Sequence, residues 1–389
     1  MSRWRNMDPD KLAKVGKFRS PKKTSQSADL AAEYELSEEK WPEFTEQNKG
    51  AFGARVVEVH KRYAFVSRED ERGAVDTKDV WLATIARRYL QADRAERNLV
   101  AVGDRVLVVP ATEPVKDAEG DLPQCVIEHL SPRHSSIRRL DPHTPDRHHV
   151  LAANPDQILI VASYKKPKVK WGLIDRYLVL AEAERMHAII VINKRDLLES
   201  EKKAAAKAEA EEHIATYREL GYDVLVTQAN SDDADEDPET EKLRELMQGK
   251  TTLLSGHSGV GKSSLVNLLD PEIVQAVEPD EDIFYKGRHT TTFASFIKLG
   301  TGGFAIDTPG IRSFTFEDKS AIELTDCFVE LRPLLGRCKF RECRHVDEPE
   351  CVVREKVADG SIKEWRYRSY LAILMGASGR EGRVRDLPE

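Results

Sequence analysis

Residues 256–263 read Gly256-His257-Ser258-Gly259-Val260-Gly261-Lys262-Ser263, the GxxxxGK[ST] form of a phosphate-binding loop. In such a loop successive backbone N–H groups converge on phosphate oxygens. Gly256, Gly259 and Gly261 admit the anion where side chains would block it. Lys262 reaches the β- and γ-phosphates and Ser263 can ligate Mg²⁺. The helix expected from Ser264 onward points its positive end at the anion. The octapeptide alone does not separate ATP from GTP. A second pattern, Asn193-Lys194-Arg195-Asp196, reads NKxD and makes that separation. An ionised Asp196 accepts hydrogen bonds from guanine N1–H and its exocyclic amine, a donor pair that adenine lacks, and Lys194 can lay its apolar stem along the base. A third pattern, Asp307-Thr308-Pro309-Gly310, reads DxxG. There Asp307 contacts Mg²⁺ through water and the Gly310 N–H bonds the γ-phosphate, so the loop reports hydrolysis.

Between the phosphate loop and DTPG lies Gly287-Arg288-His289-Thr290-Thr291-Thr292, where a first switch loop belongs. A threonine there, Thr291 or Thr292 among them, completes the magnesium shell; the sequence does not say which. Ras-like enzymes carry a glutamine after DxxG that orients the attacking water. Here that position is Ile311, which cannot hydrogen-bond water. His289 is the nearest polar candidate for the role, with packing or RNA contact as the competing reading. Low intrinsic turnover that rises when a partner orders the switches is expected.

These loops need strands and helices to hold them. His187–Ile192 and Thr251–Ser255 read as buried strands before NKRD and before the phosphate loop, and Phe304–Ile306 ends a strand before DTPG. Open α/β sheets bind ligands at those strand ends. Gln157–Ala162 and Asp223–Thr227 are further strands, with Gln228 and Ala229 offering backbone contacts to the base. Residues 174–184 and 199–213 read as helices, and Asp232–Glu241 as a solvated acidic loop. A Ras-like chain runs phosphate loop, DxxG, NKxD. This one runs NKxD, phosphate loop, DxxG, the order of a circularly permuted GTPase.

Further on stands Cys338-x4-Cys343-x-His345-x5-Cys351. Three thiolates and one imidazole suit tetrahedral Zn²⁺ in a closed structural site, whose binding supplies folding energy to a short segment. A disulfide pair and unrelated buried thiols are the alternatives, the first disfavoured because no signal peptide is seen and a reducing compartment is expected. The other two of the five cysteines, Cys125 and Cys327, stand apart.

At 389 residues, 40% hydrophobic and 33% charged, the chain allows two or three domains, and no apolar run reaches the roughly 20 residues of a membrane span. The net charge of −7 is uneven: residues 1–26 are basic, read as a tail for nucleic acid, and 27–48 as a linker or short helix. From Gly50 five short β-rich runs (54–60, 62–67, 79–82, 104–109 and 124–128) suit a small closed barrel, an OB-fold. Tyr63, Phe65 and Trp81 either stack bases or fill its core. Near the other end, Lys363–Leu374 reads as a helix, with Trp365 and Leu371 packing and Arg366 and Arg368 facing RNA.

The combination resembles the ribosome small subunit-dependent GTPase A (RsgA) family of circularly permuted GTPases over roughly residues 50–375. It shares the order NKRD, GHSGVGKSS, GRHTTT, DTPG and C-x4-C-x-H-x5-C, with the phrases Ala152–Gln157, Ile174–Leu178 and Glu348–Cys351. Pro155 and Gln228 depart from the usual residues without removing a side-chain contact that the chemistry needs. The resemblance implies an OB-fold barrel, an α/β permuted P-loop GTPase and a small zinc-binding α domain. The spans expected are 1–48 tail and linker, 49–135 barrel, 145–317 GTPase and 318–389 zinc domain with a C-terminal helix. It also implies one structural Zn²⁺ and Mg²⁺ with GTP, the small ribosomal subunit and its rRNA as partners, and GTP hydrolysis stimulated by that subunit during its late maturation. A cytoplasmic monomer without membrane contact is expected. A translation-factor GTPase and a non-catalytic GTP-dependent RNA-binding switch are the alternatives.

Overall fold

Short β-branched runs separated by polar turns cannot bury both faces in a flat sheet, and here they curl into a closed barrel. The computed structural model describes residues 34–60, 62–70, 75–86, 98–111, 115–117, 120–141, 144–231, 233–270, 295–307 and 320–376. The basic tail, the switch segment with His289, Thr291 and Thr292, and Gly310 with Ile311 lie outside the described residues.

Helix α1 (Trp41–Gln47) precedes the barrel strands β1 (Phe52–Val59), β2 (Ala64–Glu69), β3 (Val75–Ile85) and β4 (Arg105–Pro110). A small hairpin of β5 (Val115–Asp117) and β6 (Gly120–Leu122) leads to β7 (Gln124–Leu130). The barrel closes in the order β1-β2-β3-β7-β4, with β3 and β7 parallel and the other pairs antiparallel, which is the OB-fold arrangement. Alternate inward residues such as Val56, Val66, Val106, Val108 and Ile127 form its core. Tyr34 joins that core, so the segment before β1 is part of the barrel's packing as well as a short helix. Of the three aromatic candidates, Phe65 is buried, while Tyr63 and Trp81 are half-buried. Tyr63 stacks on the His60 ring at 4.6 Å, and Trp81 packs against the core and donates its indole N–H to Asp79.

Strands β8 (Ser136–Asp141) and β9 (Thr144–Ala153) form a hairpin where the sequence suggests only a connection. Then follow β10 (Gln157–Ser163), α2 (Trp171–Ala183), β11 (His187–Asn193), α3 (Arg195–Glu199), α4 (Ala204–Glu219), β12 (Asp223–Thr227), α5 (Pro238–Met247), β13 (Thr251–Gly256), α6 (Lys262–Leu269), β14 (Ser295–Lys298) and β15 (Phe304–Asp307). The six strands from β10 on form one sheet in the order β12-β11-β10-β13-β15-β14. Strands β10, β11 and β12 are parallel, and β10 is buried along its whole length, as its unbroken apolar run requires. Helices α7 (Ala321–Asp326), α8 (Val352–Ala358) and α9 (Glu364–Leu374) complete the chain.

Two compact units result. One contains the chain up to Asp156 with Met247–Leu253 and Leu269–Ile311; the other contains Gln157–Leu246, Leu254–Leu268 and the chain from Arg312. In the first, the barrel strand β1 packs on β14, with the Arg55 guanidinium 6.0 Å from the Phe296 ring centre. In the second, the expected solvated loop at 232–241 is corrected. Helix α5 begins inside it at Pro238, and Asp237 is buried and accepts from the Glu239 N–H. Proline is preorganised for a first helical turn, and the acidic residues suit its positive end.

Candidate nucleotide site and metal centre

Parallel register lines up the carboxyl ends of three strands: Ser163 pairs with Asn193, and Asn193 with Thr227. Asn193 is buried, and its side chain ties three elements together. Its amide donates to the Val260 carbonyl of the phosphate loop at 3.0 Å. Its oxygen accepts from the Thr227 hydroxyl at 3.3 Å and from the Ala229 N–H at 3.1 Å. A residue 67 positions away in sequence thus fixes the phosphate loop.

Lys194, in the left-handed conformation at φ 65°, turns the chain out of β11. Its ammonium donates to the Gly259 carbonyl at 2.7 Å and to the Lys166 carbonyl, bracing the phosphate loop against residues 164–170. Burial lowers its pKa, with Asp196 opposing and Lys166 reinforcing the shift. Asp196 is exposed in the first turn of α3, free of burial that would hinder a base. Arg195 points elsewhere: its guanidinium pairs with Asp237 at 3.1 Å and donates to the Val226 carbonyl. Nothing in the residues around NKRD signals that structural partner, which lies 42 positions away.

The phosphate loop joins β13 to α6. Gly256 has φ 144°, and a Cβ there would sit 2.2 Å from the Val161 carbonyl oxygen; Gly261 has φ 97°, and its Cβ would sit 2.2 Å from Asn193 Nδ2. At both positions a side chain would strain the backbone, and at Gly256 it would also meet a backbone atom. Lys262 Nζ donates to the carbonyls of Gly256 at 3.3 Å and His257 at 3.1 Å, which places the ammonium within the loop. Ser258 and Gly259 are exposed at the loop's rim and Val260 is buried beneath it. Ser263 and Ser264 occupy the first turn of α6. In the other unit, Asp307 ends β15, buried and in register with Ser295.

The ligating atoms of Cys338, Cys343, His345 and Cys351 all lie within 4.8 Å of one another. Sulfur–sulfur edges of a tetrahedron with metal–sulfur bonds of about 2.3 Å are roughly 3.8 Å long. Cys338 and Cys351 Sγ are 3.9 Å apart, and His345 Nδ1 lies 3.6 and 3.3 Å from them. All five cysteines are free. The geometry therefore fits a metal ion and not a disulfide. Burial pushes the Cys343 thiol up to about 12 and pulls the His345 imidazole down. Glu348 closes the knuckle by accepting from the N–H groups of Arg344 and Val346. Helix α9 supports it: the Tyr367 hydroxyl donates to the His345 carbonyl at 2.5 Å, and Tyr370 to the Arg344 carbonyl at 2.9 Å.

The expected RNA-facing role of Arg366 is corrected. Its side chain is 2% exposed and bonds Asp175 of α2 at 2.5 Å, while Glu330 receives it on two oxygens at 2.6 and 3.0 Å. Asp175 also accepts from the Tyr217 hydroxyl at 2.6 Å. Burial alone would lower the Arg366 pKa, but the two carboxylates hold it well above its ordinary value. Arg366, two residues before Arg368, shares the sequence signature of a surface cation, and only the carboxylates contributed by distant elements reveal the difference. Arg368 is exposed and pairs with Glu364. Trp365 is half-buried on His213, and Leu371 is buried.

Among the described residues no helix is long and apolar enough to cross a membrane. Residues 130–317 match the family model of the RsgA GTPase. The chain is 39% identical over 301 residues to small ribosomal subunit biogenesis GTPase RsgA 1 of Vibrio parahaemolyticus, covering 77% of this chain and 79% of that protein. It is 37% identical over 309 residues to the RsgA of Shewanella oneidensis, covering 79% and 81%. Two solved structures share its fold. One is YjeQ from Thermotoga maritima, with TM-score 0.59 and 31% identity over 85% of this chain and 99% of that one. The other is YloQ, described as a circularly permuted GTPase, with TM-score 0.59 and 26% identity over 84% and 95%. With its closed barrel, permuted motif order and Cys3His cluster, the chain belongs to the RsgA family of circularly permuted GTPases.

Proposed function

We propose that this GTPase acts in the cytoplasm on the small ribosomal subunit during its late maturation, with hydrolysis of GTP to GDP and phosphate stimulated by that subunit. The single observation carrying the reading is the Asn193 side chain, which joins NKRD to the phosphate loop although the motifs run in permuted order. The printed names of the relatives, small ribosomal subunit biogenesis GTPases, supply the partner.

In this reading Asp196 selects guanine, Lys194 covers the base, and residues 256–264 cradle the phosphates with Lys262 at their centre. Ser263 and Asp307 would hold Mg²⁺, directly and through water, with a contribution from Thr291 or Thr292. The chemistry Mg²⁺ would supply there is positive charge against the negative charge that develops on the phosphate oxygens. The Gly310 N–H reports the γ-phosphate, and His289 orients the attacking water. The Cys3His cluster holds one structural Zn²⁺, for which a full set of four protein ligands is the usual shell. The parts divide as a tail and linker (1–48), a barrel (49–135), the GTPase (145–317) and the zinc domain (318–389), in a monomer whose outer modules meet rRNA.

The test is GTP turnover by the purified protein, alone and with small, large or assembled ribosomal particles. Stimulation by free small subunits is expected. Preference for assembled ribosomes would mark a translation factor instead, and no turnover under any condition would mark a non-catalytic switch, the reading that Ile311 favours. Replacing His289 with Ala should remove stimulated turnover and spare GTP binding.

A further inference from the structure

Helix α2 faces two ways. Its residues Leu173, Ile174 and Tyr177 line, with Gly256, His257 and Val260 of the phosphate loop, a cavity of only about 20 Å³. The helix side chains and the loop are thus close neighbours across a small space. The loop entering α2 is bound into the same site: the Lys166 carbonyl accepts from Lys194, and the Ser163 hydroxyl donates to the Pro167 carbonyl at 2.8 Å. Residues four apart on a helix share a face, and Asp175 and Val179 lie on the opposite one. Val179 belongs to the core of the metal module, alongside Leu324, Phe328 and Tyr370. Asp175 takes the Arg366 guanidinium, which also grips Glu330 and lies 4.7 Å from the Phe328 ring centre.

Two further contacts bind α9 to this pair of GTPase helices. His213 of α4 is sandwiched between Trp171 of α2 at 4.4 Å and Trp365 of α9 at 4.0 Å. Lys363 pairs with Glu212 at 2.9 Å. The charge cluster is the discriminating element. Asp175 is fully buried, and its Oδ2 has no hydrogen-bond partner. A buried charge cluster is costly to open, because a charge that loses its partner stays desolvated.

We infer that the Asp175–Arg366–Glu330 cluster couples the metal module to the guanine-nucleotide site through helix α2, so that binding of nucleotide and the placement of α9 depend on each other. Asp175 is thus a positioning residue for the phosphate loop, acting through Ile174 and Tyr177 and not by touching nucleotide. Coupling of this kind is reciprocal. Nucleotide that fixes the phosphate loop fixes α2 and tightens α9, and displacement of α9 by any partner loosens nucleotide. The inference rests on guanine-nucleotide binding alone and is independent of which particle the protein serves.

Hydrogen exchange on the full-length, metal-loaded protein tests it, with and without saturating GDP. Exchange of the amides of α9 should slow several-fold with GDP in the unaltered chain, and Asp175→Asn should abolish that response while raising the Kd for GDP severalfold. Tyr217→Phe removes one hydrogen bond to Asp175 and keeps the ring, so it should weaken the response even if Asp175→Asn folds poorly. The control Glu364→Gln, at the solvent-exposed Arg368 pair within α9, should leave both readouts unchanged. Exchange in α9 indifferent to GDP in the unaltered chain would overturn the inference, as would an undiminished response in both Asp175→Asn and Tyr217→Phe. Loss of GDP binding by the unaltered chain would instead defeat the nucleotide-site reading itself.

Discussion

The nucleotide site and the metal module are both announced by short motifs, yet they are held in opposite ways. Around the phosphate loop the fixing contacts end on backbone carbonyls and are long-range: an asparagine amide to Val260, a lysine ammonium to the Gly259 carbonyl, and glycines whose missing Cβ atoms make room for Val161 and Asn193. In the metal module the ligands sit within one short loop, and the anchorage is ionic and buried, through Arg366. A site that must grip and release an anion keeps its cations, Lys194 and Lys262, on backbone carbonyls. A module that must hold its shape can bury its cation between carboxylates, provided every charge is paired.

The difference is sharpest if the module's metal is lost. Structural zinc sites contribute roughly 10–16 kcal/mol of apparent binding energy, far more than a loop of this size can gain by packing. Cys343→Ser should therefore unfold the segment from Ala321 to Leu374, seen as metal loss and rapid exchange in α8 and α9. Strands β10 to β12 should remain protected. A variant that keeps stoichiometric metal and its α9 protection would show that packing, not ligation, holds the module.

Next in size is the ionic anchor. Arg366→Met leaves Asp175 and Glu330 buried without a cation, a change that typically costs about 3–5 kcal/mol. Replacing Asp175, Glu330 and Arg366 together with apolar residues of similar volume should recover most of that stability in chemical denaturation. No recovery would mean that the charges do more than satisfy one another. On the nucleotide side the corresponding test is steric. Gly256→Ala meets a strand carbonyl, whereas Gly261→Ala meets the end of a movable side chain. The first should weaken GDP binding at least 100-fold, about 3 kcal/mol. The second should cost less, because Asn193 can give way, though its φ remains strained. Equal losses in titration with a fluorescent nucleotide would argue that backbone conformation alone, and not the contact, sets the requirement.

How far these features were legible in the sequence follows from the range of the contacts behind them. The permuted motif order, the five barrel strands and the Cys3His spacing are local patterns, and the barrel closes in the expected manner. Arg366 read as an RNA contact because helical spacing beside Arg368 and the aromatic residues says nothing about Glu330 or Asp175, 36 and 191 residues away. Asp237 was hidden in an acidic run whose composition suggests solvent, yet its partner Arg195 lies 42 residues upstream. The hairpin β8–β9 was passed over because Pro132 and the adjacent arginines look like a connection, and its pairing is broken by two register shifts. Tyr34 was invisible for the same reason: a lone aromatic in a polar stretch gives no periodicity.

The smallest expected effect concerns an ion-paired carboxylate at the edge of the nucleotide site. Glu201 follows α3 and is held from the ordinary 4.5 down to about 2 by Lys165, by the Lys203 N–H and by the Tyr164 hydroxyl. Tyr164 begins the loop that Lys194 braces, so the carboxylate ties that loop to the segment after NKRD. A depressed carboxylate pKa contributes stability that is present above the unfolded value and lost as pH falls through the folded one. The contribution should therefore be complete above about pH 4.5 and gone near pH 2. Glu201→Gln should be modestly less stable than the unaltered chain in denaturant at pH 6, and the two should converge as pH drops toward 2. A difference that stays constant with pH would assign the contact to shape and hydrogen bonding. The contrast between a nucleotide site braced on backbone carbonyls and an ionic anchor would then extend to the loop that Lys194 braces.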